Sequence, residues 1–225
     1  MKKALLSWSG GKDAAIALTE IYKNKNYEIV ALLTTLTEDD KRVSMHGVRK
    51  ALLDEQAKML ELPIEYVYIP PHANNQLYEQ RMKKLLSKYL NYNVDTVIFG
   101  DLFIEEIRHY RENQLSNIGM KAVFPLWQKK PEDLINKFLY EKYQAVTVCI
   151  DQNVLPVSFL GKPLNEKFFS KLPETVNICG EHGEYHTFVY DCPLFKQAIP
   201  LKKGNITTKW NRFALCDFQI DKKSS

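Results

Sequence analysis

Cysteine is scarce in this sequence, and long apolar runs are absent. The 225 residues include four cysteines without the dense spacing of a disulfide scaffold, so a small secreted domain held by disulfides is excluded. No apolar run approaches the roughly 20 residues that a membrane-spanning helix needs, and the first residues turn polar too early for a signal-peptide core. We therefore expect a cytoplasmic protein with reduced thiols and no membrane partner.

An excess of one charge sign is also lacking. The formal net charge is +4, and the basic residues are scattered among acidic ones, so a nucleic-acid partner is not implied. Hydrophobic residues make up 45% and charged residues 26% of the chain, as in ordinary globular proteins. The length suits one α/β core with a small appended region. The oligomeric state stays open, a homodimer included.

The hydrophobic pattern alternates between strands and helices over the first two thirds of the chain. Apolar runs predict five strands, at residues 3–8, 29–34, 64–69, 96–99 and 145–150. Helical spacing of apolar residues predicts five helices: one that begins at residue 13, two that lie around residues 53–60 and 82–89, and two that span residues 105–117 and 131–143. Four successive strand and helix units predict a parallel, doubly wound sheet. Its ligands would bind beyond the carboxyl ends of the strands.

The regular alternation fades beyond residue 151. Five prolines separate short apolar stretches there, which predicts a smaller α+β region, and residues 206–220 favour strands without a clear register. We therefore divide the chain into a first domain, residues 1–150, and a smaller C-terminal region, residues 151–225.

A glycine pair follows the first predicted strand, in the segment Ser9-Gly10-Gly11-Lys12-Asp13. Adjacent glycines before a helix let backbone N–H groups approach an anion at the positive end of the helix dipole, with Ser9 adding a hydroxyl and Lys12 a charge. The alternative is a glycine turn that only connects strand to helix.

Two familiar nucleotide motifs do not fit this loop. A Walker loop ending at Lys12 would need glycine at position 6 and Ser or Thr at position 13, where the chain has Leu6 and Asp13. The dinucleotide pattern fails because no glycine follows Gly11 until Gly47.

The loop does resemble the Ser-Gly-Gly-x-Asp-Ser/Thr signature of the PP-loop ATP pyrophosphatases, in the expected strand, loop and helix context. That resemblance implies the PP-loop (adenine nucleotide alpha hydrolase-like) fold, with residues 1–150 as the ATP-binding domain, and cleavage of ATP between the α and β phosphates, with Mg²⁺ offsetting phosphate charge. Ala14 departs from the signature's hydroxyl residue, so one phosphate contact must be absent or supplied elsewhere. The residues expected to bind the nucleotide are Ser7, Ser9, Gly10, Gly11, Lys12, Asp13 and Gly100.

A second signature lies at Gly180-Glu181-His182-Gly183-Glu184-Tyr185-His186-Thr187-Phe188. It resembles the Gly-Glu-Gly-Gly-Glu-Tyr-Glu-Thr-Phe signature of the diphthine-ammonia ligase family, a branch of the PP-loop enzymes. The residues Gly100-Asp101 and Tyr110-Arg111 also look like the Gly-Asp and arginine-bearing segment that this family has between its two signatures. His182 and His186 depart from the pattern, which puts the acceptor in doubt more than the ATP chemistry.

The resemblance implies that Glu181 and Glu184 arrange an acceptor carboxylate, ammonia or a metal, with Asp101 as a further catalytic residue at the carboxyl edge of the sheet. A solvated acidic turn is the alternative for the glutamates, and a helix cap is the alternative for Asp101. The residues expected to bind substrate are His46, Arg111, Tyr185 and His186. For His46 the alternative is an ordinary exposed histidine; for Arg111, as for Arg108, it is an ion pair on the helix surface.

The ligand spacing C-x₂-H-x₃-H-x₅-C, formed by Cys179, His182, His186 and Cys192, is also compatible with zinc. No second cysteine pair reinforces it, and the family signature already accounts for most of this segment.

These features together predict an adenylating amide ligase that uses ATP, an acceptor carboxylate and ammonia, with diphthine on elongation factor two as the family's acceptor. Two alternatives stay open. One is adenylation of another small-molecule or RNA acceptor, and the other is a non-catalytic module that senses ATP.

Overall fold

The computed structural model describes residues 1–221 as two β-sheets that contribute to one large hydrophobic core, with a second, smaller core on the other face of the first sheet. Its last four residues, 222–225, lie outside the described range. None of the helices within the described range is long and apolar enough to cross a membrane.

The first sheet has five parallel strands in the order β3-β2-β1-β4-β5. Its strands are β1 (Lys2–Ser7), β2 (Tyr27–Thr37), β3 (Ile64–Ile69), β4 (Thr96–Ile98) and β5 (Lys121–Val123). The accompanying helices are α1 (Lys12–Asn24), α2 (Lys50–Leu60), α3 (Asn75–Leu90), α4 (Glu105–Ser116) and α5 (Pro131–Tyr140).

Successive residues of the central strands pack on opposite faces of this sheet, as strand geometry requires. Leu6 of β1 faces the core that α1, α2 and α5 cover, whereas Leu5 faces the core that α3 and α4 cover. Both faces are therefore buried, which explains the nearly uninterrupted apolar runs. The expected doubly wound parallel sheet is confirmed.

The second sheet is antiparallel, with the order β7-β6-β9-β8. Its strands are β6 (Gln144–Asp151), β7 (Tyr185–Asp191), β8 (Leu201–Lys209) and β9 (Phe213–Ile220). Between β6 and β7 lie a 3₁₀ helix (Val157–Phe159) and a short α-helix, α6 (Glu166–Phe169). This confirms the smaller α+β region.

The chain passes from the first sheet to the second before residue 144, because β6 pairs with β7 and β9 rather than with the parallel strands. The division of the chain at residue 150 into two domains stays a prediction. Valine 189 and Phe188 of β7 belong to the same core as Leu6 and the helices on that face. This shared core brings the carboxyl end of β1 against β7, where the site lies.

Candidate active site

The glycine loop connects β1 to α1 at the carboxyl edge of the parallel sheet. Gly10 has φ +80°, and a Cβ there would lie 2.9 Å from both Gln56 Oε1 and Leu53 Cδ2. Only glycine combines this left-handed backbone with so little space. The loop is therefore packed tightly against α2.

The Gln56 side chain, fully buried, ties the loop to both sheets. Its Oε1 accepts a hydrogen bond of 2.8 Å from Trp8 Nε1, and its Nε2 donates to the carbonyl oxygens of Gly10 at 3.0 Å and Val189 at 2.6 Å. Val189 N also donates to Gly10 O at 2.9 Å. The loop thus extends the hydrogen bonding of β7.

The N-terminus of α1 is suited to an anion. Gly11 is its N-cap and has no side chain that could cap the helix through a hydrogen bond, so the first turn keeps backbone donors for a ligand. Ser7 and Ser9 line an adjoining cavity of about 1080 Å³. Lys12 N is the exception, since it donates to Thr187 Oγ1 of β7 at 3.0 Å.

The Lys12 side chain joins the loop to the second signature. It is 2% exposed, and its Nζ donates to Asp13 Oδ2 at 3.0 Å and to the carbonyl oxygen of Cys179. The ring of Tyr185 lies 5.3 Å away, and the Tyr185 hydroxyl donates to the carbonyl oxygen of Ile178. Burial lowers the pKa of Lys12, but Asp13, Tyr185 and Cys179 together outweigh it and keep the pKa above its ordinary value. The ammonium group is thus directed inward.

Three carboxylates gather beside this junction, from Asp13, Asp101 and Glu181. Asp13 Oδ1 is buried and has no hydrogen-bond partner within residues 1–221. Glu181 Oε1 accepts a 2.9 Å hydrogen bond from Leu102 N. Burial, opposed by this bond and reinforced by the charges of Asp13 and Asp101, raises the pKa of Glu181 to about 7.

Asp101 forms an ion pair with Arg111 of α4, with Nε and Oδ2 2.8 Å apart. Burial raises the pKa of Asp101, although Arg111 opposes the shift. The helix-cap alternative for Asp101 is wrong, since Ile104 is the N-cap of α4. Arg111 also lines the cavity and lies over the ring of Phe99, with a guanidinium-to-centroid distance of 4.3 Å.

Gly100 brings these acidic side chains together. A Cβ there would lie 2.9 Å from the carbonyl carbon of Asp13 and 3.1 Å from Ala14 N. Glycine is therefore required where the end of β4 meets the first turn of α1. This close approach puts Asp101 beside Asp13.

Glu184 differs from Glu181 because both of its oxygens are already engaged. Oε1 accepts from Asn177 N and Oε2 accepts from His182 N, each at 2.9 Å. A buried carboxylate with two backbone donors fixes the shape of the loop that carries Glu181.

His46 and His186 form a stacked pair, with ring centroids 4.1 Å apart and planes 21° apart. Burial, followed by the Lys12 charge, lowers the pKa of His186 to about 4. The pKa of His46 is lowered well below its ordinary value by burial, His186 and Lys12. Both rings are uncharged at neutral pH.

The zinc alternative is not assembled in the described part of the chain. Within residues 1–221 no three His, Cys, Asp or Glu side chains are grouped so that they could hold a metal ion. Cys179 Sγ instead contacts Pro131 O at 3.6 Å, and His186 packs on His46. Arg108 forms the expected helix-surface ion pair, with Glu112 at 2.8 Å.

The loop and the second signature, more than 160 residues apart in sequence, thus form one site, and family comparison matches both. The diphthamide synthase N-terminal domain matches residues 1–122, and the diphthamide synthase C-terminal domain matches residues 130–224. The chain belongs to the diphthamide synthase family.

Several curated relatives carry the name diphthine-ammonia ligase, and three of them show the extent of the similarity. The Bos taurus protein is 32% identical over 120 residues, which cover 51% of this chain and 45% of that protein. The Schizosaccharomyces pombe protein is 29% identical over 215 residues, with coverages of 86% and 35%. The Rattus norvegicus protein is 27% identical over 218 residues, with coverages of 85% and 79%. The chain therefore spans less than half the length of the first two relatives.

Sequence reasoning missed several residues that build the site of this family member. Gln56, Thr187 and Asp217 hold the loops in place, yet each bonds partners at least 46 residues away along the chain. Nothing in the local sequence marks Gln56 or Asp217. The one available signal was Thr187, which lies inside the second signature.

Proposed function

We propose that the chain is an ATP-dependent ligase that joins ammonia to an acceptor carboxylate and releases AMP and pyrophosphate. One observation carries this proposal: the glycine loop at the N-terminus of α1 is bonded directly to the segment that bears Glu181, through Lys12 and Thr187. An anion site and a titratable carboxylate therefore belong to the same site.

ATP would bind with its phosphates at the first turn of α1, whose backbone N–H groups would donate to them, beside the cavity that Ser7 and Ser9 line. The first step joins an oxygen of the acceptor carboxylate to the α phosphorus. The bond from that phosphorus to the oxygen bridging the α and β phosphates breaks, and pyrophosphate leaves. Positioning and electrostatic stabilisation would supply most of the rate enhancement.

Mg²⁺ would be held by the carboxylate of Asp13. The unpartnered buried oxygen of Asp13 is a hard ligand of the kind this ion prefers, and Mg²⁺ commonly takes one or two carboxylates and completes its shell with phosphate and water. When bound, the ion would offset phosphate charge. Arg111 holds the Asp101 carboxylate in place through their ion pair.

Glu181 is suited to accept the proton that ammonia loses when it attacks the acyl-adenylate. In that step the new C–N bond forms, the C–O bond to AMP breaks, and one N–H proton must leave. A carboxylate whose pKa is about 7 is poised near the operating pH for this transfer. Glu184 would act as a positioning residue, since its two oxygens hold the Glu181 loop.

The buried thiols argue against sulfur transfer as the second step. Cys179, which lies beside Lys12, has its pKa raised to about 12, chiefly by burial. A thiol with such a pKa supplies little thiolate at neutral pH. Ammonia is the nucleophile that the relatives' name contains, and diphthine on elongation factor two is the acceptor that we propose, with His46, Arg111, Tyr185 and His186 as its predicted contacts.

The test is isotope incorporation. Elongation factor two carrying diphthine is incubated with the chain, ATP and ¹⁵N-ammonium, and intact-protein mass spectrometry follows the label. We expect ATP-dependent gain of ¹⁵N that Glu181→Gln abolishes and that the exposed-site control Glu174→Gln retains. AMP release without label in this acceptor would reject diphthine, and ATP binding without AMP release would favour the sensing module.

A further inference from the structure

Two contacts that the sequence predicts for the phosphates are absent or reduced in this chain. Ala14 has no hydroxyl, and the Lys12 ammonium group already donates to Asp13 and to the Cys179 carbonyl oxygen, which leaves one of its three N–H groups. The inference that follows rests on the proposed function, because it concerns how the same site holds an anion. Donors for that anion must come from elsewhere.

The loop that carries His46 is firmly held. Met45 has φ 64° and Gly47 has φ 68°, and a Cβ on Gly47 would lie 2.4 Å from Leu215 Cδ2. The left-handed backbone conformation is strained for a residue such as Met45, and it persists only where the surrounding contacts hold it in place. Ser44 and Met45 line the cavity that Ser7 and Ser9 also line.

Asp217 of β9 anchors both ends of this loop. Its Oδ1 accepts hydrogen bonds of 2.8 Å from Arg42 Nη1 and Arg49 Nε, and its Oδ2 accepts one of 2.6 Å from Arg49 Nη2. Arg42 Nη1 also donates to Gly47 O at 2.7 Å. The position of His46 is therefore set before any ligand arrives.

The imidazole pair has unused hydrogen-bonding capacity. His46 Nδ1 is buried, and none of the described residues is its hydrogen-bond partner. His186 immediately precedes Thr187, whose hydroxyl accepts from Lys12 N, so β7 sets the pair beside the glycine loop. A neutral imidazole offers one N–H donor and one acceptor nitrogen.

The electrostatic surroundings of the pair favour an anion. The Lys12 charge acts on both rings, and it disfavours a second cation there. A carboxylate at position 186, as the family signature has, would reverse this preference.

We propose that His46 and His186 form a second anion-binding element of the site, in which an imidazole N–H donates to an anionic oxygen and, where that oxygen belongs to a phosphate, supplies the contact absent at Ala14. The oxygen belongs either to a nucleotide phosphate or to the acceptor carboxylate.

The direct test uses the unmodified protein. Imidazole proton resonances are followed by NMR while inorganic pyrophosphate is added, and in a separate arm while acetate is added. We expect the His46 and His186 signals to shift and those of His109, which is exposed on α4, to stay. A shift with pyrophosphate identifies a phosphate as the source of the bound oxygen, and a shift with acetate identifies a carboxylate as the source. Binding of both probes with unmoved His46 and His186 signals, or of neither probe, would overturn the proposal.

Variants test the link to Ala14. The probe that shifts the His46 and His186 signals is then titrated by calorimetry. We expect His186→Glu to weaken its binding about tenfold and His186→Gln about threefold. His109→Gln should bind the probe as tightly as the unmodified chain does. Adding Ala14→Ser to His186→Gln should recover most of the loss for pyrophosphate if the phosphate is the source. Equal affinity of the unmodified chain and His186→Glu contradicts the proposal. None of these measurements needs turnover, so a chain that forms no AMP would reject the proposed function and leave this site intact.

Discussion

Replacing Glu181 by glutamine isolates the charge of the carboxylate that we assign as proton acceptor. Glutamine keeps the size of the side chain and an oxygen that can accept from Leu102 N, where Glu181 Oε1 accepts at 2.9 Å. What the variant removes is an ionisable group whose pKa is raised from 4.5 to about 7 by burial and neighbouring carboxylates. Stability and activity should therefore change with pH in opposite ways.

The stability effect follows from proton linkage. The folded chain holds the Glu181 proton more tightly than the unfolded chain, so the free energy of unfolding falls as pH rises from 4.5 to 7. The full shift corresponds to about 3 kcal/mol, which solvent access to the half-buried carboxylate reduces to about 1 to 2 kcal/mol. The free energy of unfolding of Glu181→Gln, relative to that of the unmodified chain, should therefore rise by about 1 to 2 kcal/mol between pH 5 and pH 8.

The measurement is urea unfolding of both proteins at pH 5 and pH 8, with Glu174→Gln as an exposed-site control. The same proteins are assayed for amide formation. At a fixed concentration of un-ionised ammonia, the unmodified chain should lose activity about tenfold per pH unit below pH 7, and Glu181→Gln should be slower by about 100-fold or more without that dependence. If the difference in free energy of unfolding between Glu181→Gln and the unmodified chain is the same at pH 5 and pH 8, the Glu181 charge is not buried as the structure requires. An unchanged rate would remove Glu181 from the mechanism.

Three further changes test the framework of the site. Gly10→Ala should lower the free energy of unfolding by about 1 to 3 kcal/mol, measured in urea, because its Cβ would meet Gln56 at 2.9 Å on a left-handed backbone. Gln56→Leu should cost about 2 to 4 kcal/mol in the same assay, since the buried donor of Trp8 and the carbonyl of Val189 lose their partner. Asp217, whose pKa the two arginines lower to about 2 although burial opposes them, contributes stability above pH 3.8 that is lost as pH falls towards 2. Asp217→Asn should lower the free energy of unfolding by about 1 kcal/mol at pH 7 and by little at pH 2. An equal loss at both pH values would refute a stabilising role for the ion pairs between Asp217 and the two arginines.

Elements with a clear local period were predictable from the sequence. The strand at Ile64–Ile69 has the predicted ends, and α4 ends one residue before the predicted end. Hydrophobic spacing determines such elements because burial on one or two faces dictates it. β5 was missed because three residues, Lys121–Val123, carry too short a pattern, and β7 because its residues were interpreted as a chemical signature.

Partnerships over long sequence distances were not predictable. An apolar run at 145–150 predicted a strand correctly but could not indicate that β6 pairs with β7 and β9 in a second sheet. The Lys12 ammonium group was expected to meet phosphate, and its contact with the Cys179 carbonyl oxygen depends on a residue 167 positions away. Asp101 and Arg111 were each singled out, but their ion pair needed the geometry of α4.

The nucleotide product tests the central claim most directly. The purified chain is incubated with ATP labelled in the α phosphate, Mg²⁺, ammonium and the acceptor, and the labelled products are separated by chromatography. Cleavage between the α and β phosphates predicts labelled AMP together with an equal amount of pyrophosphate. In a single turnover, Glu181→Gln should still release pyrophosphate but should be slow to release AMP, because Glu181 acts at the ammonia step. Labelled ADP without AMP would contradict the account.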